Sequence, residues 1–431
     1  MRAFFGLKRA VLRSKLSFKA LTTLFDSLIK PIILYGAPIW APNSTVWGII
    51  AKEFDSNYTK NKNLLKKLSS STQEKVHLSF LKWALGVHRK ASNIGVWGES
   101  GRLPLVYESI RLSINYMKRI ENLENTSLVS AALREQKKLN LPWYARMKAI
   151  LKIDEIYSND HVTAYHALYP KSKLIKPNRI EIPHVLLSHV EKLNPVKSEK
   201  CRTWKIIEAL TENFKLSWQH QKFTSPKLTF YHKVKSTFGL EPYLACKNFK
   251  NRSNTTQLRI SAHKLQIERG RYINLPREKR TCLWCQTTLG QDYIEDESHF
   301  LFNCDLYQGL RNKLIANLNK NPVDTQNIPS QFIDMNLNIT SSNIQHSLMS
   351  LLSPNVDNNQ NNPTVHPEHL PKNHSQELDL MHSKRAYLIS CICSYVSSCF
   401  KERKNLTESA RASRLTKDSI LVRTHNALAS F

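Results

Sequence analysis

Glycine is scarce in this chain, 11 of 431 residues, which argues against a loop-dominated or barrel-like protein and in favour of helices. Acidic residues are few as well. Lysine and arginine number 63 against 34 aspartates and glutamates, a formal charge of +29, and a charge of that size repels itself unless a polyanion or an anionic surface neutralises it. Nucleic acid is therefore the leading partner. The first 120 residues hold 20 basic and 6 acidic side chains, so the charge is spread along the chain and not confined to a tail.

Long apolar runs are missing too. The most apolar late segment, AYLISCICSYVSSCF from Ala386 to Phe400, is shorter than the ~20 residues a membrane helix needs. It reads as a buried helix, and no membrane partner is expected. The start, MRAFFGLKRAVLRSK, has too short an apolar run for a secretory signal, although the lack of any acid before Asp26 imitates a mitochondrial presequence. Eight unevenly spaced cysteines do not form a disulfide framework; they fit a reducing compartment, nuclear or cytoplasmic, and not secretion.

What is present is enough to fold. A hydrophobic fraction of 41% and eight tryptophans supply a core, and the length allows about three domains at ~150 residues each. Leu21 to Pro42 reads as an amphipathic helix interrupted at Pro31. In EKVHLSFLKWALGVHRK, Leu78, Leu81 and Leu85 share one helical face and leave Lys75, Lys82 and Lys90 for solvent or phosphate. ASNIGVWGESGRLPL gathers Gly95, Gly98, Gly101 and Pro104 and reads as a loop. A helix near Val106 to Leu123 follows, with Val106, Ile110, Ile114 and Met117 as its core stripe. From Ser353 to Gln376 apolar content collapses in favour of Asn, Pro and His, the composition of a disordered linker. A last helix is expected over about Leu378 to Lys404.

One stretch carries chemistry. TCLWCQTTLGQDYIEDESHFLFNC sets Cys282, Cys285, His299 and Cys304 in the order C-x2-C-x13-H-x4-C. Three thiolates and one imidazole match the tetrahedral shell of a closed structural zinc site, and four protein donors leave no position for a reacting water. DESHF is not a metalloprotease signature, because the helical H-E-x-x-H spacing is missing. Just upstream, LRISAHKLQIERGRYINLPREKR holds Arg259, Lys264, Arg269, Arg271, Arg277, Lys279 and Arg280 against Glu268 and Glu278. A rigid metal loop behind such a run presents cations to phosphates, with Tyr272 and Trp284 available to stack on bases. The plainer reading of the run is a solvated basic face.

Taken together, LFDSLIKPIILYGAPIWAP, FLKWALGVHRKASNIGVWGESGRLPL, LRISAHKLQIERGRYINLPREKRTCLWC and IEDESHFLFNCDLY resemble the C-terminal third of LINE-type, non-LTR retrotransposon reverse transcriptases. The resemblance covers about residues 1 to 310 and is specific at the knuckle and the two early blocks. Read with the periodicity and composition above, it divides a mainly α-helical chain into a thumb-like region over 1–124, a helical connector over 125–242, a basic region with the zinc knuckle over 243–330, a low-complexity linker over 331–376, and a C-terminal helix with basic tail over 377–431. It also implies a role in gripping RNA or an RNA–DNA duplex during target-primed reverse transcription, beside the palm and fingers of a parent polyprotein. Lys30, Tyr35 and Trp40 match the thumb block and read as structural.

The departures count as much. Phosphoryl transfer by a polymerase needs carboxylates holding metal ions, the family places an adjacent Asp pair in its palm, and this chain has no Asp-Asp dipeptide. Neither an endonuclease before the thumb-like block nor a nuclease pattern after the knuckle is recognisable. Alone, the chain is expected neither to polymerise nor to cut. Two other readings stand beside the nucleic-acid-binding fragment: an independent adaptor whose knuckle and last helix bind a protein, and an enzyme with diverged acids.

Overall fold

A computed structural model of the chain describes residues 2–53, 64–152, 195–319 and 386–409. Among them there is no strand. The β pairing is limited to isolated antiparallel bridges, Ser100 with Leu240 and Thr281 with Ile294, so the mainly α-helical expectation holds. The low-complexity linker and the basic tail lie outside the described residues.

The helices used below are α1 (Arg2–Ala10), α2 (Phe18–Leu24), α3 (Lys30–Ile33), α4 (Ala37–Trp40), α5 (Thr45–Glu53), α6 (Leu64–Ser70), α7 (Thr72–Leu85), α8 (Asn93–Ser100), α9 (Leu105–Glu121), α10 (Leu128–Lys138), α11 (Pro142–Leu151), α12 (Pro195–Thr224), α13 (Thr229–Val234), α14 (Phe249–Arg259), α15 (Gln266–Tyr272), α16 (Gln308–Asn319) and α17, residues 386–409. α7 shows why the pattern folds as it does. Ser71 caps it by accepting from the Glu74 N–H at 3.3 Å, and Gly86 ends it in the left-handed region at φ +72°. Leu78, Leu81 and Leu85 are buried, as their spacing predicts. On α9 the expected stripe buries Ile110, Ile114 and Met117.

Two expectations are corrected. Pro31 does not interrupt its helix: the wide turn Phe25–Ile29 lies between α2 and α3 and gives the proline ring room where the regular i−4 carbonyl would clash. The direction changes instead at Gly36, φ +64°. The glycine-rich segment expected as a loop contains α8, and its glycines serve close packing. A Cβ on Gly98 would stand 2.4 Å from the Tyr231 hydroxyl and 2.6 Å from Trp218, and one on Gly95 2.8 Å from Ile260. Bulk excluded from α8 lets two other helices approach its backbone.

The regions expected as thumb-like and connector share one continuous core. Phe214 on α12 meets Trp97 and Tyr107 edge-on, with centroids 5.7 Å apart in each case. Trp218 donates its indole N–H to the Ile94 carbonyl at 2.9 Å. Buried polar groups are matched inside this core. Glu74 accepts from the Trp97 indole at 2.8 Å and the Leu105 N–H at 2.8 Å, and its other near neighbour is His77 at 3.0 Å. Such full pairing offsets the desolvation of a buried carboxylate. Among the described residues no single helix is long and apolar enough to cross a membrane; only Phe18–Ile33 with Ala37–Asn43, a pair bent by 56°, meets the length and composition together. Phe18, Leu21, Phe25 and Ile29 of that pair are buried in the core.

Candidate metal centre

The knuckle is built from two short wide turns and one bridge. Thr281 pairs with Ile294, the Cys282 N–H donates to the Tyr293 carbonyl at 2.7 Å, and the Glu295 N–H donates to the Arg280 carbonyl at 2.9 Å. Cys285–Leu289 forms the first wide turn and closes at Gly290, φ +66°. His299–Asn303 forms the second, and the Cys304 N–H donates back to the His299 carbonyl at 2.9 Å. These turns bring donors separated by up to 22 positions together.

The donor atoms of Cys282, Cys285, His299 and Cys304 all lie within 4.8 Å of one another, and all four residues are buried. The Cys304 sulfur is 3.9 Å from that of Cys282 and 3.8 Å from that of Cys285. His299 Nε2 is 3.4 Å from the Cys285 sulfur. A tetrahedral ion with bonds of about 2.3 Å to sulfur and about 2.0 Å to nitrogen requires edges of about 3.8 Å and about 3.5 Å. The group therefore has the dimensions to hold a metal ion. Protonation tells the same story: the Cys282 thiol is drawn down to about 3, first by a hydrogen bond from Cys304. That same bond pushes Cys304 far up. Burial and then the Cys282 thiolate push Cys285 up to about 11. Without a cation one sulfur takes the charge and its neighbours keep their protons; an ion bound by all three would release them. Four protein donors around one ion would make a closed shell, the arrangement of structural sites.

Acids between the ligands fasten the knuckle to the body. Asp296 accepts from the His299 N–H at 2.9 Å, and Tyr293 stacks on the His299 ring with centroids 5.6 Å apart. Glu297 accepts from Ser261 at 2.7 Å and lies 3.0 Å from His263 Nε2. Glu295 accepts from the Gln266 N–H at 2.7 Å and is gripped by Arg403 of α17. The sequence pattern singled out the ligands and missed these anchors, although the cluster EDE beside His299 is their trace.

The basic run divides by burial. Arg259 is fully buried and spans Glu99, at 2.9 and 3.1 Å, and Glu241, at 3.0 Å; its place on α14 faces the core, so it is no phosphate contact. Arg280 is also withdrawn from that set, since it donates to the carbonyls of Leu275 and Ile267 across Gly270, where a Cβ would come within 2.6 Å of it. Arg271 is half-buried, held by Glu268 at 2.8 Å and donating to the Pro226 carbonyl at 2.8 Å. Lys264, Arg269, Arg277 and Lys279 are exposed, with Arg277 3.5 Å from Asp296. Tyr272 is 56% exposed and open to a base. Trp284 instead packs partly against the core. Lys30 pairs with Asp26 at 3.3 Å, and Trp40 donates to the Tyr35 carbonyl at 2.9 Å, both structural contacts.

No family model matches the chain, and no curated protein and no solved structure matches it.

Proposed function

We propose that the chain binds RNA or an RNA–DNA duplex as the C-terminal part of a non-LTR retrotransposon reverse transcriptase, and that Cys282, Cys285, His299 and Cys304 hold a structural zinc ion. One observation carries this reading: exposed Lys264, Arg269, Arg277 and Lys279 lie just upstream of a buried three-sulfur, one-nitrogen cluster. Cations on a surface stiffened by a closed metal shell keep fixed spacings toward phosphates. The overall charge of +29 and the resemblance of the knuckle and early blocks to that family support the same partner. The palm and fingers of the parent polyprotein complete the polymerase, and the site of action is the nucleus or cytoplasm.

The test replaces Lys264, Arg269, Arg277 and Lys279 together with glutamine. Each lost contact to a single strand lowers the slope of log K against log salt by about 0.7. A large drop in slope supports the interface; identical slopes refute it.

A second reading has its own observation. Leu28, Ile32, Tyr35 and Ile39 are 53%, 64%, 86% and 55% exposed, apolar side chains on both sides of the bend at Gly36 and suited to a protein partner. An adaptor would bind through these side chains and have no affinity for RNA.

A further inference from the structure

Three segments distant in sequence meet beside the basic run. The turn after α7 exposes His88, Arg89 and Lys90. Lys82, near the end of α7, donates to the Arg89 carbonyl at 2.9 Å. Lys227 belongs to the single turn Pro226–Leu228, which Arg271 of α15 ties down through the Pro226 carbonyl. Lys90 Nζ stands 5.6 Å from the centroid of the Tyr272 ring. The turn after α7, the turn before α13 and the end of α15 thus line one place.

The charge there is unbalanced. Glu268 stands among these cations, 3.7 Å from Lys227 and 2.8 Å from Arg271. Burial, and then the charges of Lys227 and Arg89, draw Lys82 down to about 8. His88, exposed at its surface, is lowered by partial desolvation and then by Lys227, Lys82, Lys90 and His263. Lys227 is lowered by burial, only partly offset by Glu268. Compare Arg259, where Glu99 and Glu241 surround one guanidinium. Cations gathered with too little counter-charge cost stability unless an anion joins them.

The geometry points to a phosphate cradle formed by Lys82, Arg89, Lys90 and Lys227, which takes the phosphodiester backbone of single-stranded RNA while Tyr272 at its rim stacks a base. This deepens the nucleic-acid reading above, and rests on it for the source of the phosphate. Lysines supply point charges to phosphate oxygens, Arg89 a planar fork, and Tyr272 a face that accepts any base. A free polyphosphate offers the same oxygens without a base, so the two sources are separable.

The probes are an oligouridylate and inorganic tripolyphosphate, on the full chain loaded with zinc. The Lys82→Gln/Arg89→Gln/Lys227→Gln variant is expected to bind oligouridylate at least about tenfold more weakly, with a salt slope lower by about 2, three contacts at about 0.7 each. Tyr272→Ala is expected to weaken oligouridylate and leave tripolyphosphate unchanged. Tripolyphosphate is expected to raise the Tm of the parent and not that of the triple variant. If the triple variant fails to fold, Arg89→Gln/Lys90→Gln on the exposed turn reads the same loss at a slope change of about 1.4. Equal slopes together with equal tripolyphosphate shifts in parent and variant overturn the cradle. Protection by tripolyphosphate that the variant lacks, in a chain that ignores oligouridylate, overturns the RNA reading and leaves a polyphosphate site.

Discussion

Arg403 holds both carboxylate oxygens of Glu295, through Nε at 2.6 Å and Nη2 at 2.7 Å, and so clasps α17 to the loop that joins Cys285 to His299. The two side chains are 10% and 6% exposed. Tyr395 of the same helix donates its hydroxyl to the Leu301 carbonyl. A helix separated from the knuckle in sequence therefore forms part of its wall.

Arg403→Ala strands the Glu295 carboxylate, and breaking a buried pair this way costs about 3–5 kcal/mol. Urea unfolding of the parent and variant measures it. The double change Arg403→Met/Glu295→Met, which leaves no charge behind, is expected to cost less than Arg403→Ala alone. A loss from Arg403→Ala well below about 1 kcal/mol would show that the clasp is not closed in solution.

Arg259 and Arg269 lie ten positions apart in the same basic run and are expected to behave oppositely. Arg259→Met leaves Glu99 without its cation and Glu241 with Lys235 alone and lowers stability by about 3–5 kcal/mol, while the salt slope of RNA binding stays that of the parent. Arg269→Gln, on the surface, changes stability by no more than about 0.5 kcal/mol and lowers the slope by about 0.7. Unfolding curves and fluorescence anisotropy on the same preparations separate the two effects.

Metal removal is expected to loosen the knuckle and the contacts of α17 together. Chelation or Cys304→Ser should expose amides 281–307 and 386–409 to hydrogen exchange, with helices α7 to α9 protected as before. Because thiolates must shed protons to bind, apparent zinc affinity falls as pH falls. Cobalt substitution offers a direct readout, since a tetrahedral thiolate shell is intensely coloured and an octahedral water shell is pale.

Lys82 gives stability a pH dependence of known sign. Its folded-state pKa, lowered to about 8 from 10.5 by burial and then by Lys227 and Arg89, lies below the unfolded value. Between those values the unfolded chain binds the extra proton, so unfolding free energy rises with pH from about 8 to about 10.5. Lys82→Met should flatten that rise and be at least as stable as the parent near neutral pH. Parallel curves for parent and variant across this window would contradict the assignment.

Periodicity carried much of the fold. Leu78, Leu81 and Leu85, and the stripe Ile110, Ile114 and Met117, are core because apolar residues three and four apart share a helix face. The four candidate metal ligands were legible because side chains of the right kind in the right order are rarely accidental, and the structure brings them together. Glycine misled: in α8 it marks where Trp218, Tyr231 and Ile260 press on a backbone, and local composition cannot distinguish that from a turn. Charge misled in the same manner, for Arg259 and Arg269 look alike until Glu99, 160 positions from Arg259, is brought to one of them. Lys227 carried no local signal at all, since its meaning depends on the turn after α7.

Binding of an oligouridylate to the zinc-loaded chain between about 50 and about 200 mM salt bears most directly on the central claim. Counterion release by several phosphate contacts should make affinity fall by about 10³ or more across that range. An affinity that is absent, or flat with salt, would contradict nucleic-acid binding and leave the exposed apolar side chains Leu28, Ile32, Tyr35 and Ile39 as the candidate interaction surface.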